Sequence, residues 1–239
     1  KFLLNKKNKQ QFLRHLTAYM VSHGIKVVQA LADADVQIAT TAVKQNRDTN
    51  VIFFGKDTDL LILLLHHFVP SRYSLIFTSV GEQNLKTKDL QYRFHERKVA
   101  QSYSRRHLTN SSIFGSRHVS RVYSIGKGAE SLKKVLNNKK MQSCLKEFNV
   151  LSADKFAIAK AGEELICQFY EKDVDVPLNT LRYRIFQKKV AIATSAVAPE
   201  VLPPTSDAAV FHSYRTYLQT QVWKGKPLNP LEWGFSIEK

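Results

Sequence analysis

Val51-Ile52-Phe53-Phe54-Gly55-Lys56-Asp57-Thr58-Asp59-Leu60-Leu61 decides how the chain is read. Four consecutive apolar residues closed by glycine predict a short strand buried on both faces, the pattern of a parallel sheet. Asp-x-Asp follows at once, so two carboxylates stand at the strand's carboxyl end, where open α/β sheets bind their ligands. The apolar stretch Leu60–Phe68 then predicts a buried helix that Pro70 ends. One Asp would suffice to cap that helix. A second carboxylate two residues away adds like-charge repulsion, which a bound cation would relieve.

Working outward, helix periodicity places Phe12, Leu16, Tyr19 and Met20 on the inner face of a helix over Lys9–Ser22, stopped by Gly24. Ile25–Val28 reads as a β-branched strand. A helix over Ala32–Val43 comes next, with Val36, Ala39, Thr40 and Val43 inward. Ser74–Thr78 predicts a third strand. Strands alternating with helices imply an α/β layer with a mostly parallel sheet flanked by helices. From Ser152 onward the chain reads as a helical C-terminal subdomain. Ser152 is the expected cap of a helix over Ala153–Tyr170 whose inner face holds Ile158, Gly162 and Leu165. Asn179 or Thr180 caps a helix through Leu181, Phe186 and Val190. A last helix after Pro203-Pro204-Thr205-Ser206 carries Val210, Tyr214, Tyr217 and Leu218 inward and stops at Gly225.

Charge divides the chain in the same way. The whole has 36 basic and 20 acidic residues, net +16. Residues 91–150 alone hold 13 basic and 3 acidic groups, net +10. Such an excess implies a polyanionic partner: DNA by default, with RNA as the other candidate. The expected division is an α/β core over 1–92, a basic loop or arm over 93–120, a phosphate-binding segment over 121–150 and the helical subdomain over 151–239. Two cysteines, Cys144 and Cys167, exclude a disulfide framework or a four-cysteine zinc site. No apolar run reaches the ~18 residues of a membrane span. A chain that starts at Lys1 rather than Met reads as a fragment without a signal peptide.

A second carboxylate pair, Asp33-Ala34-Asp35-Val36-Gln37, opens the helix that precedes the Val51 strand, 24 residues before the first pair in each position. Acids in a first turn also compensate the helix dipole. The two motifs in this order resemble the internal nuclease region of the flap-endonuclease/XPG-type family: acid-Ala-acid-Ala-Gln at a helix start, with Asp here in place of the usual Glu and Val36 at the second Ala, then a buried strand, then acidic Asp-x-Asp-Leu. Ile125-Gly126-Lys127-Gly128-Ala129 resembles that family's Gly-Ile-Gly-Pro-Lys-x-Ala turn, which begins a helix–two-turns–helix DNA-binding motif. Physically, glycines let backbone amides approach a phosphate, and Lys127, Lys133 and Lys134 add charge. The end of the chain, from Leu202-Pro203-Pro204 to Glu232-Trp233-Gly234, is similar to a multi-copy, transposon-associated animal branch of the same superfamily.

The resemblance implies a PIN/flap-endonuclease-like fold and divalent-metal-dependent cleavage of DNA phosphodiesters in the nucleus. Asp33, Asp35, Asp57 and Asp59 would hold Mg²⁺ or Mn²⁺, and Ile125, Gly126, Lys127, Gly128, Lys133 and Lys134 the nucleic acid. The family's Gly-x-Asp, expected about seven residues before the glycine turn, has no counterpart: Ile113–Ser120 contains no acid. Two readings follow, a nuclease or a non-catalytic nucleic-acid-binding protein on a nuclease-derived scaffold.

Overall fold

Asn5 starts the first helix by accepting hydrogen bonds from the N–H groups of Lys7 and Asn8, the usual service of an N-cap. The computed structural model describes residues 4–30, 34–55, 57–78, 91–94, 122–123, 125, 129–172, 174–226 and 228–236. They form a mixed α/β structure that is mostly helical. Helices α1 (Lys6–Ser22), α2 (Ala34–Gln45) and α3 (Thr58–His67) accompany strands β1 (Val51–Phe54), β2 (Leu75–Thr78) and β3 (Gln91–Phe94). Helices α4 (Ala129–Leu136), α5 (Lys139–Glu147), α6 (Lys155–Tyr170), α7 (Leu178–Ile192) and α8 (Ser206–Trp223) follow.

The sheet runs in the order β1-β2-β3. β1 and β2 are parallel, with Val51 opposite Leu75 and Phe54 opposite Thr78. β3 is antiparallel to β2, pairing Gln91 with Thr78. The described sheet is therefore mixed, with one parallel and one antiparallel pair, where a mostly parallel sheet was expected. β3 also takes Arg93 and Phe94 out of the stretch read as a basic arm; residues 95–120 of that arm lie outside the described residues.

Other expectations fail as well, beginning with β1, which is buried on one face only: Phe53 is buried while Ile52 and Phe54 are 60% and 66% exposed. Ile25–Val28 forms no strand, and Ile25 and Val28 stay exposed; β-branched residues favour strands only where a partner supplies pairing and cover. The α1 stripe of Phe12, Leu16 and Tyr19 is likewise solvent-facing, not buried. In α7, Leu178 and Leu181 are fully buried and Ile185 packs against the core, but Phe186 and Val190 are exposed, so the helix meets the core mainly through its first half.

Two apolar clusters result. One joins Ala39 and Val43 of α2, Phe53, Leu63 and Leu64 of α3, Leu75 and Phe77. The other lies among α4–α8, around Phe148, Ile158, Leu165, Leu178, Leu181 and Tyr217. Trp223, the last residue of α8, belongs to the first cluster and is 1% exposed, so the two cores are pinned together at the end of that helix. α8 is the central helix of the second cluster, burying Ser213, Thr216, Thr220 and Gln221 beside its apolar residues. Ser213 and Thr220 bond back to the Ala209 and Thr216 carbonyls of the same helix, and Gln221 reaches the Phe148 carbonyl; the Thr216 hydroxyl has no partner among the described residues. Asp154, not Ser152, caps α6; α7 starts at Leu178 behind Pro177 without a side-chain cap. Thr205 caps α8, and Gly225 ends it at φ +75°, a conformation that glycine adopts without a Cβ clash.

Candidate functional site

The β1–α3–β2 crossover sets the geometry. A parallel pair requires the helix between its strands to run back against them. α3 therefore begins at the carboxyl end of β1. α2 precedes β1 through a short connection and packs against α3. The N-terminus of α3 thus stands at the end of the β1–β2 pair where ligands gather in such sheets.

Asp57 is the N-cap of α3, its Oδ1 accepting the N–H of Asp59 at 3.1 Å. Asp59 lies in the first turn of α3 and is only 4% exposed, a rare placement for a carboxylate. Asp35 is half-buried in the first turn of α2. Asp33 and Lys56 lie outside the described residues. The donor type suits a hard divalent cation, which takes carboxylate oxygens. Among the described residues, however, no group of three or more His, Cys, Asp or Glu stands close enough to hold a metal ion. Asp57 and Asp59 stand at the carboxyl end of β1 and Asp35 in the first turn of α2, and the three form no metal-holding cluster by themselves.

The expected phosphate segment divides as well. Ile125 donates its N–H to the Val122 carbonyl at 3.2 Å, and its side chain is buried in the helical core. It anchors the turn from inside rather than facing a ligand. Gly126, Lys127 and Gly128 lie outside the described residues. Lys133 and Lys134 are exposed and occupy the last turn of α4, not its start. There they line a cleft of about 500 Å³ with Lys172, Tyr170 and Asn137, toward the end of α6. Their charge serves this second opening more directly than the helix N-terminus that the sequence suggested. Asn138 then caps α5 by accepting the N–H of Met141 at 3.1 Å, so α4 and α5 form two helices joined by a tight two-residue connection.

Sequence reasoning missed the junction between the halves of the chain. His67 ends α3 and donates from Nε2 to the Trp223 carbonyl at 2.9 Å. Burial pushes His67 below the ordinary imidazole range, and the hydrogen bond to Trp223 opposes that shift without cancelling it. A Trp followed by Lys-Gly at a helix end carries no periodic signal, so nothing in the pattern marks this contact. No helix among the described residues is long and apolar enough to cross a membrane. No protein-family model, curated protein or solved structure matches the chain.

Proposed function

We propose that the chain is a nuclease-like protein acting on DNA phosphodiesters, on a PIN/flap-endonuclease-like α/β scaffold. The observation that carries this reading is Asp59: a carboxylate 4% exposed, two residues from Asp57, at the carboxyl end of a parallel strand. Burying a charge beside another of like sign is costly, and a site that uses negative charge gives a reason for the arrangement. Asp33, Asp35, Asp57 and Asp59 would hold Mg²⁺ or Mn²⁺, which supplies Lewis-acid activation of water when bound. Asp57 orients the first turn of α3 through its bond to the Asp59 N–H, and the basic residues of 91–150 would hold the phosphate backbone.

The test is cleavage of flap and blunt duplex DNA by the full-length protein with Mn²⁺ or Mg²⁺. Asp57→Asn combined with Asp59→Asn should abolish cleavage and leave DNA affinity equal or higher, because two charges that repel phosphate are gone. Cleavage that persists in this double variant, or without divalent metal, would sink the catalytic assignment.

A second reading is favoured by the sequence of Ile113–Ser120, which holds no acid where the resembled family has its Gly-x-Asp. It keeps nucleic-acid binding and omits cleavage. Under it the full-length protein binds DNA with log affinity falling against log salt by about 0.9 per phosphate neutralised, and cuts nothing. Binding that ignores salt between roughly 50 and 200 mM would remove nucleic acid as the partner under both readings.

A further inference from the structure

Helix α7 carries apolar residues on two sides. Leu178 and Leu181 are buried and Ile185 packs on the core. At about 100° per residue, Tyr183, Phe186 and Val190 fall together on the side turned away from those three. They are 60%, 39% and 48% exposed. Single exposed apolar residues are ordinary, but three at i, i+3 and i+7 form a stripe. Gln187, also exposed, lies within it. From Phe186 to Ala196 every residue except the half-buried Lys189 is exposed, so the second half of α7 stands in solvent.

The borders of the stripe are basic. Helical spacing puts Arg184 beside it on one flank, with Lys188 one turn further along, and Lys189 on the other flank. Lys189 in the last turn also suits the helix dipole; Arg184, in mid-helix, has no such role. Arg182 is tied to the Pro203 carbonyl. Residues 176–199 hold these four cations and no Asp or Glu. Charge therefore selects a polyanion, and the stripe selects within that class. A duplex keeps its base faces stacked inside, whereas an unpaired strand offers phosphates together with flat faces that stack on aromatic side chains. Tyr183 and Phe186 are neighbours on one helix face, with about 5–6 Å between such Cβ atoms. A helix that lies in a bilayer interface keeps its apolar residues on one side, and α7 has them on two.

We propose that the outer face of α7 binds an unpaired DNA strand, with Tyr183 and Phe186 stacking on bases and Arg184 and Lys189 meeting phosphates. The inference rests on the DNA-acting reading above and adds to it that the substrate has a single-stranded portion. It does not depend on cleavage.

The experiment measures binding of the full chain to labelled oligo(dT), a blunt duplex, poly-glutamate and phosphatidylserine vesicles. Tyr183→Ala, Phe186→Ala and Tyr183→Phe change exposed positions, and circular dichroism checks that each variant is folded. Each alanine variant should bind oligo(dT) roughly fivefold or more weakly, the loss of one stacked base. Tyr183→Phe should stay near the parent, and duplex binding should be unchanged in all three. Arg184→Gln combined with Lys189→Gln should reduce the slope of log affinity for oligo(dT) against log salt by about 1.4, at about 0.7 per phosphate of a single strand. This pattern supports the proposal. Oligo(dT) binding unchanged in the alanine variants, equal losses on single strand and duplex, an unchanged salt slope, poly-glutamate bound as tightly as oligo(dT), or vesicle binding that the alanine variants abolish overturns it. Salt-dependent duplex binding that survives any of these results leaves the proposed function standing, whereas no binding to either DNA removes both.

Discussion

His67 Nε2 donates to the main-chain oxygen of Trp223 across 2.9 Å, linking residues 156 apart in the chain. The bond fixes the Nε2–H tautomer, since a carbonyl can only accept. It couples the end of α3 to the end of α8, where Trp223 fills the α/β core. Burial holds the His67 pKa below the ordinary 6.5. An unfolded chain therefore takes up a proton that the folded chain resists as pH falls through that value, so stability is present above it and lost below. Thermal unfolding followed from pH 8 to pH 5 should show this fall, and His67→Gln, which cannot titrate, should flatten its slope. An unchanged slope in the variant would assign the acid sensitivity to other groups.

Trp223 itself tests whether the two cores depend on each other. Its side chain is 1% exposed, and its Nε1 has no hydrogen-bond partner among the described residues. Trp223→Ala should cost about 3–5 kcal/mol, the range for emptying a large aromatic site. Trp223→Phe keeps most of the volume and gives up no hydrogen bond from the side chain, so its loss should stay under about 2 kcal/mol. Denaturant unfolding read by circular dichroism distinguishes the two, and equal losses would show that the indole edge matters more than its volume.

Much of this frame was legible in the residues. Val51–Phe54 and Ser74–Thr78 announce strands because apolar β-branched and aromatic runs end at turn residues, and the parallel pair lies there. The α3 start at Asp57-Thr58-Asp59 follows from capping chemistry. α8 was legible in position but not in environment. Tyr217 and Leu218 are inward as their spacing suggests, yet Thr220 and Gln221 are buried too, because each bonds to a backbone carbonyl within reach. Periodicity counts polar residues as outward and cannot see that exchange. Ile25–Val28 and the α1 stripe fail for the opposite reason, since pattern records a capacity for burial and not the presence of a partner. At the candidate site, the order of Asp57 and Asp59 after a strand was readable. The burial of Asp59 was not, because it depends on tertiary packing that no local pattern records.

The two cysteines should be inert in the folded chain. Burial, then the neighbouring Glu164 carboxylate, which accepts from Sγ at 3.4 Å, push the Cys144 thiol up to about 12. Burial and the nearby Glu163 and Glu164 raise Cys167 to about 11. The thiolate is the reactive form, so iodoacetamide at pH 8 should modify neither residue until denaturant is added. Fast labelling of the native chain would contradict the packing around α5 and α6.

Asp57 separates a cap from a chemical role. Asparagine accepts a capping hydrogen bond about as well as aspartate, whereas alanine cannot. Asp57→Asn should leave stability within a few tenths of a kcal/mol, and Asp57→Ala should lose about 1 kcal/mol. If the carboxylate also serves cleavage, both substitutions remove activity despite their different effects on folding. Activity that instead tracks stability would reduce Asp57 to the capping residue seen in the structure.

Gly162 on α6 faces Ser213 on α8, and a Cβ built on Gly162 would stand 2.6 Å from the Ser213 Cβ. Real Cβ atoms do not approach so closely, and the Ser213 Cβ cannot rotate away because it is fixed to the helix backbone. α6 and α8 therefore sit as close as they do because one partner is glycine. Gly162→Ala forces the helices apart through the middle of the larger core and should cost about 1–3 kcal/mol, despite the better intrinsic helix propensity of alanine. Ser213→Ala offers no relief, since it removes only the hydroxyl and leaves the clashing carbon. Ser213→Gly removes that carbon, and the next neighbour, Phe148 Cζ, would then be at an ordinary 3.5 Å. Alone, Ser213→Gly should destabilise by up to about 1 kcal/mol through the glycine penalty in a helix. Combined with Gly162→Ala it should recover most of the alanine loss, so that the double variant is more stable than the two single losses predict. A double-mutant cycle by urea unfolding measures this coupling. Additive losses would mean that α6 and α8 do not meet at these residues.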